Sequence, residues 1–318
     1  MPGFHRAYSA LTWFWWRRQQ RPSHISARTH ASSKLSLGSR IPPGAWDSHM
    51  HILDPERYPL AKDALYHPNC YTLEQALSFE SSVALDNIVL VQPSIYGNDN
   101  SCLLDALRVL GPHRARAVVG FEPSTTSFET LREWHALGVR GVRVNLSSVG
   151  KRIGSDDLRD LLHSYAQHCR LMGWVIQIYI PMGMMPLLEP IVPDLGVRVC
   201  IDHIGHPCLA DMSSGDPYDM HGFRSLANLL KGGSTFIKLS APYRLGSEAN
   251  PKNLEAVSKE IIRVAGNSRG VFATDWPHTR FEGFDIRPWM EAVLDWCGDD
   301  RGLVERIFRE NARELWET

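Results

Sequence analysis

Asp47, His49 and His51 stand at alternate positions in AWDSHMHILD, residues 45–54, where an apolar run begins. Side chains two apart on a β-strand share a face. The spacing therefore predicts that the carboxylate and both imidazoles project together. Two adjacent imidazoles can bind a metal, polarise a carbonyl oxygen or, with one protonated, hold an anion. A lone H-x-H also occurs as two ordinary polar residues at a strand end, so the rest of the chain has to decide.

Residues of the same kinds recur at the ends of later apolar runs. Ser94 follows NIVLVQP (87–93), Arg143 and Asn145 close VRGVRVNL (139–146), and Tyr179 closes WVIQIYI (174–180). His203 and His206 lie in DHIGHP, Lys238, Ser240 and Arg244 in KLSAPYR, and Asp275 and His278 in ATDWPH. Buried polar groups are costly unless they are paired, so packing alone does not explain this concentration. Packing does suit other residues. His278 reads as closing the DWPH turn, and Trp289, Trp296 and Trp316 as seating C-terminal helices.

Strands must deliver these groups to one place. Eight stretches qualify: 45–52, 87–93, 116–123, 139–146, 174–180, 198–205, 235–241 and 270–276. They are short, β-branched and mostly apolar, as expected of strands covered on both faces. Amphipathic helical patterns fall between them, among them TLEQALSFESSVA, NSCLLDALRVLG, SFETLREWHALG and PKNLEAVSKEIIRVAG. SDDLRDLLHSYAQHCRLMG adds an expected cap at Ser155 and a terminal Gly. This alternation predicts an α/β fold, a (β/α)8 TIM barrel, whose reactive groups sit at the C-terminal ends of the strands. An open doubly wound sheet is the alternative, weakened by the lack of a G-x-G-x-x-G or P-loop motif.

DSHMH, DHIGHP and ATDWPH, together with LVQPSIYGNDN and GVRGVRVNL, resemble the amidohydrolase superfamily over about residues 44–316. Within it the chain is most similar to the amidohydrolase-2 group, in particular the 2-pyrone-4,6-dicarboxylate hydrolases and related lactonases. The resemblance implies a hydrolase that opens a cyclic ester, an anionic lactone of the pyrone or muconolactone type. It implies Asp275 as general base on water. It also implies that His49, His51 and His203 polarise the carbonyl, with Tyr179 beside them on strand five. By resemblance, Arg143, Arg152, Arg244, Ser94 and Tyr66 occupy positions that hold substrate carboxylates. His206 stands where the pyrone hydrolases carry an arginine, so one carboxylate is expected to be missing or held differently. The resemblance implies no cofactor. The alternative is one divalent metal, zinc, on His49, His51, His203 and Asp275, a complete tetrahedral set. Two rival functions stand beside the lactonase: a metal-dependent decarboxylase of the same superfamily, and a barrel that binds without catalysis. Many of those decarboxylases carry a Glu in the first-strand motif, which DSHMH lacks.

The 318 residues are 43% hydrophobic, enough for one large core, and the net charge is −1. Residues 1–46 carry seven basic residues and no acid; taking that +7 from −1 leaves −8 for the rest. Residues 1–40 therefore read as a basic leader, disordered or a mitochondrial transit peptide, ahead of a barrel domain at 41–318. The expected location is the mitochondrial matrix or the cytoplasm. Six scattered cysteines form no C-x-x-C, which suits a reducing compartment. No run reaches the roughly 20 apolar residues that span a bilayer, and the overall charge gives no reason to expect nucleic acid. The expected partner is a small anionic lactone, and the oligomeric state stays open.

Overall fold

The computed structural model describes residues 36–147, 153–212, 215–246 and 250–317. The expectations for the leader up to residue 35, and for Arg152, lie outside the described residues. Leu37–Arg40 form one helical turn, and Arg40 pairs with Asp295 at 2.6 Å.

All eight expected strands form. They are β1 (Trp46–Met50), β2 (Asn87–Val91), β3 (Ala115–Val119), β4 (Val139–Asn145), β5 (Val175–Tyr179), β6 (Val199–Ile201), β7 (Thr235–Leu239) and β8 (Gly270–Phe272). They pair in parallel in sequence order, β1 through β8. Just beyond β8 the ends meet: the Asp275 N–H donates to the His49 carbonyl and the His51 N–H to the Trp276 carbonyl, both at 2.8 Å. A helix follows each strand, from Leu73–Ser82 after β1 to Arg287–Trp296 after β8. The architecture is a (β/α)8 TIM barrel.

Local chemistry explains the elements. Thr72 and Gln75 form a reciprocal capping box at the start of Leu73–Ser82. Helix Ser155–Met172 departs from expectation at its cap. Gly154 takes the extended cap position and Ser155 is the first helical residue. Asp156 and Asp157 in its first turn complement the helix dipole, and Gly173 ends it in the left-handed conformation. In β4, a Cβ on Gly141 would stand 2.8 Å from the Val175 carbonyl, so only glycine admits the close β4–β5 approach that carries Arg143. β6 and β8 stop earlier than expected because the chain leaves extended geometry at His203 (φ +53°) and Asp275 (φ +62°).

Two buried layers support the site. One lies between strands and helices. The other joins Trp46, Val89, Val91, Val118, Val175, Cys200, Phe236 and Val271 of seven strands to Ala312, Leu315 and Trp316. The last three belong to the C-terminal helix Asn311–Trp316. Trp316 donates from Nε1 to Ser48 Oγ at 3.2 Å, and Asn311 donates to the Gly270 carbonyl at 2.8 Å. This helix packs against residues inside the barrel, and truncating a wholly buried Trp of this kind costs about 3–5 kcal/mol. Trp289 and Trp296 pack edge to face at 5.2 Å. The six cysteines are unpaired. Among the described residues, no helix is long and apolar enough to cross a membrane.

Candidate active site

Seven non-glycine residues with positive φ fall after the last three strands: His203, Ile204 and His206 after β6, Ala241 after β7, and Asp275, His278 and Arg280 after β8. Among the described residues, Ala84 is the sole other case. Each such residue costs about 1–3 kcal/mol and persists where the surroundings over-determine it, commonly at functional sites. Three of them, His203, Asp275 and Arg280, line a cleft together with His51, Tyr66, Pro93, Ser94, Arg143, Tyr179, Arg244 and Thr279.

His49 and His51 converge beneath that cleft as their spacing predicted. Their Nε2 atoms lie 3.3 Å apart. Asp47 does not join them. The β1–β2 register shifts between Asp47 and Met50, a local irregularity of the kind that re-aims side chains. The Asp47 carboxylate instead accepts the Thr274 hydroxyl and the backbone N–H groups of Thr274 and His49. Asp47 thus ties β1 to the end of β8.

Asp275 completes the centre. Its Oδ2 accepts Arg244 Nε at 2.5 Å and the Tyr243 hydroxyl at 2.6 Å. Its Oδ1 stands 3.5 Å from His49 Nε2 and 3.6 Å from His51 Nε2, and has no hydrogen-bond partner among the described residues. Burial alone would raise this carboxyl. The Arg244 guanidinium on Oδ2 is the leading influence that outweighs burial and holds it well below the usual carboxylate range. Asp275 is therefore ionised, with one oxygen neutralised by cationic and hydroxyl donors and the other open.

The imidazoles are neutral. Burial is the leading cause in each, pushing His49 well down, His51 down and His203 to about 3. His51 Nδ1 lies 2.7 Å from the Val91 carbonyl. A carbonyl can only accept, so Nδ1 carries the proton and Nε2 presents a lone pair to the centre. His203 Nδ1 is held by Ser240 Oγ at 2.9 Å, and its ring stands edge-on to Tyr179 at 4.7 Å. His49 Nδ1 meets competing partners, Asp202 Oδ1 and Lys238 Nζ, each at 3.4 Å. Asp202 would hold the proton on Nδ1, whereas Lys238 would leave Nδ1 an acceptor.

The donor set can be tested against a metal. Tetrahedral zinc ligands at about 2.1 Å from the ion stand roughly 3.4 Å from one another. The three separations among His49 Nε2, His51 Nε2 and Asp275 Oδ1 are 3.3, 3.5 and 3.6 Å. The residues fit one divalent cation, and the unpartnered buried oxygen is among its ligands. His203 does not complete this group; it gathers with His49 and Asp202 in a second one.

The other expected residues divide. Arg143 donates from Nη1 to the Gln92 carbonyl at 2.8 Å, and its buried Nε is unpartnered. Arg244 lines the cleft, but its Nε serves Asp275 and its Nη2 bonds Thr279 Oγ1 at 3.2 Å. Ser94, Tyr66 and Tyr179 line the cleft. His206 stacks on Tyr179 at 5.2 Å, beside Ser147, and burial lowers its pKa. His278 closes the turn as expected, donating its N–H to the Asp275 carbonyl at 3.0 Å.

The family model described as Amidohydrolase matches residues 46–318. The chain belongs to the amidohydrolase family. Its relatives include a 4-sulfomuconolactone hydrolase from Hydrogenophaga intermedia, 28% identical, covering 78% of each chain. Another is a 2-pyrone-4,6-dicarboxylate hydrolase from Comamonas testosteroni, 29% identical over 75% of this chain and 78% of the relative. A solved Pseudomonas putida structure, which carries the provisional name 2-pyrone-4,6-dicarboxylic acid hydrolase, superimposes with a TM-score of 0.73. It is 28% identical and covers 87% of this chain and 98% of its own.

In this amidohydrolase, sequence reasoning named Lys238 among the polar residues at strand ends but did not connect it to Gln177 and Asp202 in a buried layer below the histidines. Lys238 is wholly buried and donates to Gln177 Oε1 at 2.6 Å, while standing 3.2 Å from Asp202 Oδ1 and 5.4 Å from the Trp316 ring centre. Gln177 Nε2 in turn donates to Asp202 Oδ2 at 2.9 Å. A lysine mid-way along an apolar strand was the available signal. Tyr243, Thr279 and Arg280 were missed because they lie in loops where no period marks a facing direction.

Proposed function

We propose that this chain hydrolyses an anionic cyclic ester, a lactone of the pyrone or muconolactone type. The observation that carries the reading is Asp275: ionised, with Oδ2 held by Arg244 and Tyr243 and Oδ1 open toward two neutral imidazoles beneath a cleft that contains Arg143. The named activities of the relatives, both lactone hydrolases, support it.

In this reading, Asp275 Oδ1 takes a proton from water as the water oxygen attacks the ester carbonyl carbon. The electron pair of the carbonyl moves to its oxygen, and the site stabilises that oxyanion. Collapse of the tetrahedral intermediate breaks the ring C–O bond. The proton held on Asp275 passes to the departing ring oxygen, and the product is the open-chain acid. Arg143 binds a substrate carboxylate, for which a guanidinium is suited. Ser94, Tyr66 and Tyr179 orient the ring. Arg244 keeps Asp275 ionised and aimed.

Without a cofactor, His49 and His203 polarise the carbonyl as N–H donors, whereas His51, expected to share that role, presents a lone pair from Nε2 and cannot donate to it. His49, His51 and Asp275 would alternatively hold a divalent ion, which when bound would polarise the carbonyl and acidify water. Metal content of the purified full chain, with activity before and after chelation, separates these two forms. The test of the function is loss of pyrone absorbance from 2-pyrone-4,6-dicarboxylate, run beside 4-sulfomuconolactone. Turnover of either is expected. No ring opening of either, with or without added zinc, would overturn the lactonase, and release of carbon dioxide would favour the decarboxylase.

A further inference from the structure

We infer that Arg280, seated on Tyr66, forms an anion subsite at the mouth of the cleft, and that it takes a second acidic group of the substrate, farther from the scissile ester than the one at Arg143. The inference deepens the lactonase reading and rests on it for the identity of the reacting bond. What it adds is a specificity-determining residue, Arg280, that no other part of that reading uses.

The cleft has few cations to offer a second anion. Arg244 is engaged by Asp275 through Nε and by Thr279 through Nη2. Lys238 is wholly buried among Gln177, Asp202 and His49. His206 is packed against Tyr179, and burial favours its neutral form. Among the described residues that line the cleft, Arg280 is the one guanidinium with no carboxylate or carbonyl on it.

Its placement is built. The Arg280 guanidinium carbon lies 5.2 Å from the centre of the Tyr66 ring. A guanidinium stacked on a ring keeps its N–H edge free for a bidentate grip on a planar acid group. Arg280 adopts φ +68°, a conformation that costs a side-chain-bearing residue about 1–2 kcal/mol. The loop enforces it. Thr279 is pinned by Arg244, the Arg280 N–H donates to Glu282 Oε1 at 3.2 Å, and the Phe281 N–H donates to the His278 carbonyl at 2.8 Å. Gly283 follows at φ +84°, so a residue without the penalty stands three positions away. An arginine needed only for solubility has no reason to occupy the strained position facing the cleft.

The test is equilibrium binding to the full chain, read by calorimetry. The probes are benzene-1,3-dicarboxylate and benzoate, which carry two acid groups or one and contain no ester. Wild type is expected to favour the dianion by at least tenfold. Arg280→Ala should reduce that ratio by about tenfold or more, and Arg280→Lys should keep part of it because charge returns without the planar fork. Circular dichroism confirms that the variants fold. An unchanged ratio in Arg280→Ala, no preference in wild type, or no binding of either probe would each overturn the subsite. Discrimination lost on Arg280→Ala in a chain that opens no lactone would leave the subsite standing and sink only the reaction assigned to it.

Discussion

Asp275 and Asp47 are both wholly buried, and both lie on the seam where β1 meets the end of β8. Their chemistry is opposite. Asp275 meets Arg244, Tyr243 and the imidazoles and stays ionised below the normal carboxylate range. Asp47 meets the Thr274 hydroxyl and backbone N–H groups, and burial pushes it up to about 6 against those donors. Glu80 faces it, itself raised well above its ordinary value by burial and by the charge of Asp47. Burial raises any carboxyl. What separates the reactive aspartate from the structural one is a cation on one oxygen and no hydrogen-bond partner on the other.

The comparison is most severely tested at Asp275. Asp275→Asn keeps the shape and removes the base, so kcat on the lactone should fall about a thousandfold with the fold retained by circular dichroism. A loss of less than tenfold would mean that Asp275 is as structural as Asp47. Asp202 extends the contrast, because Lys238 holds it ionised 3.2 Å away. Lys238→Met strips that buried carboxylate of its nearest cation, leaving it Gln177 and, at 3.9 Å, Arg143, and should lower unfolding stability by about 3–5 kcal/mol in denaturant titration. A variant as stable as wild type would show that the layer below the histidines is not electrostatically coupled.

Arg244→Met should reduce kcat/KM by about a hundredfold. It should also move the acid limb of the pH profile to higher pH. The sign follows from Arg244 being the strongest influence that lowers Asp275: without it, Asp275 gains a proton at higher pH and the base is lost sooner. An unmoved acid limb would detach Arg244 from the base. The smallest effect is expected at Glu80. Folded Glu80 holds its proton well above 4.5, whereas the unfolded side chain releases it near that value. Its contribution is therefore intact below about 4.5 and declines as pH rises toward the folded pKa, at most by about 1.4 kcal/mol per pH unit. Glu80→Gln removes that slope, so thermal melts from pH 5 to 8 should flatten and the variant should equal or exceed wild type at pH 8. A steeper slope would mean that Glu80 is ionised when folded.

Period-2 spacing and the barrel's rule for its strand ends made His49, His51, His203 and Asp275 legible, since both are regularities of local geometry. They failed where the local geometry broke. The register shift after Asp47 removed it from the group its spacing had assigned it to, and Gly154 displaced Ser155 from the cap.

The sequence by itself determined the strands, their order and the shared face of His49 and His51, because apolar periodicity and chain order act over a few residues. The tertiary structure alone decided which of the reactive groups are charged and which are committed. Arg244 meets Asp275 across 31 residues, Lys238 meets His49 across 189, and Asp47 meets Thr274 across 227. A buried group takes its protonation state from whatever stands within a few ångströms, and only barrel closure brings these partners so close.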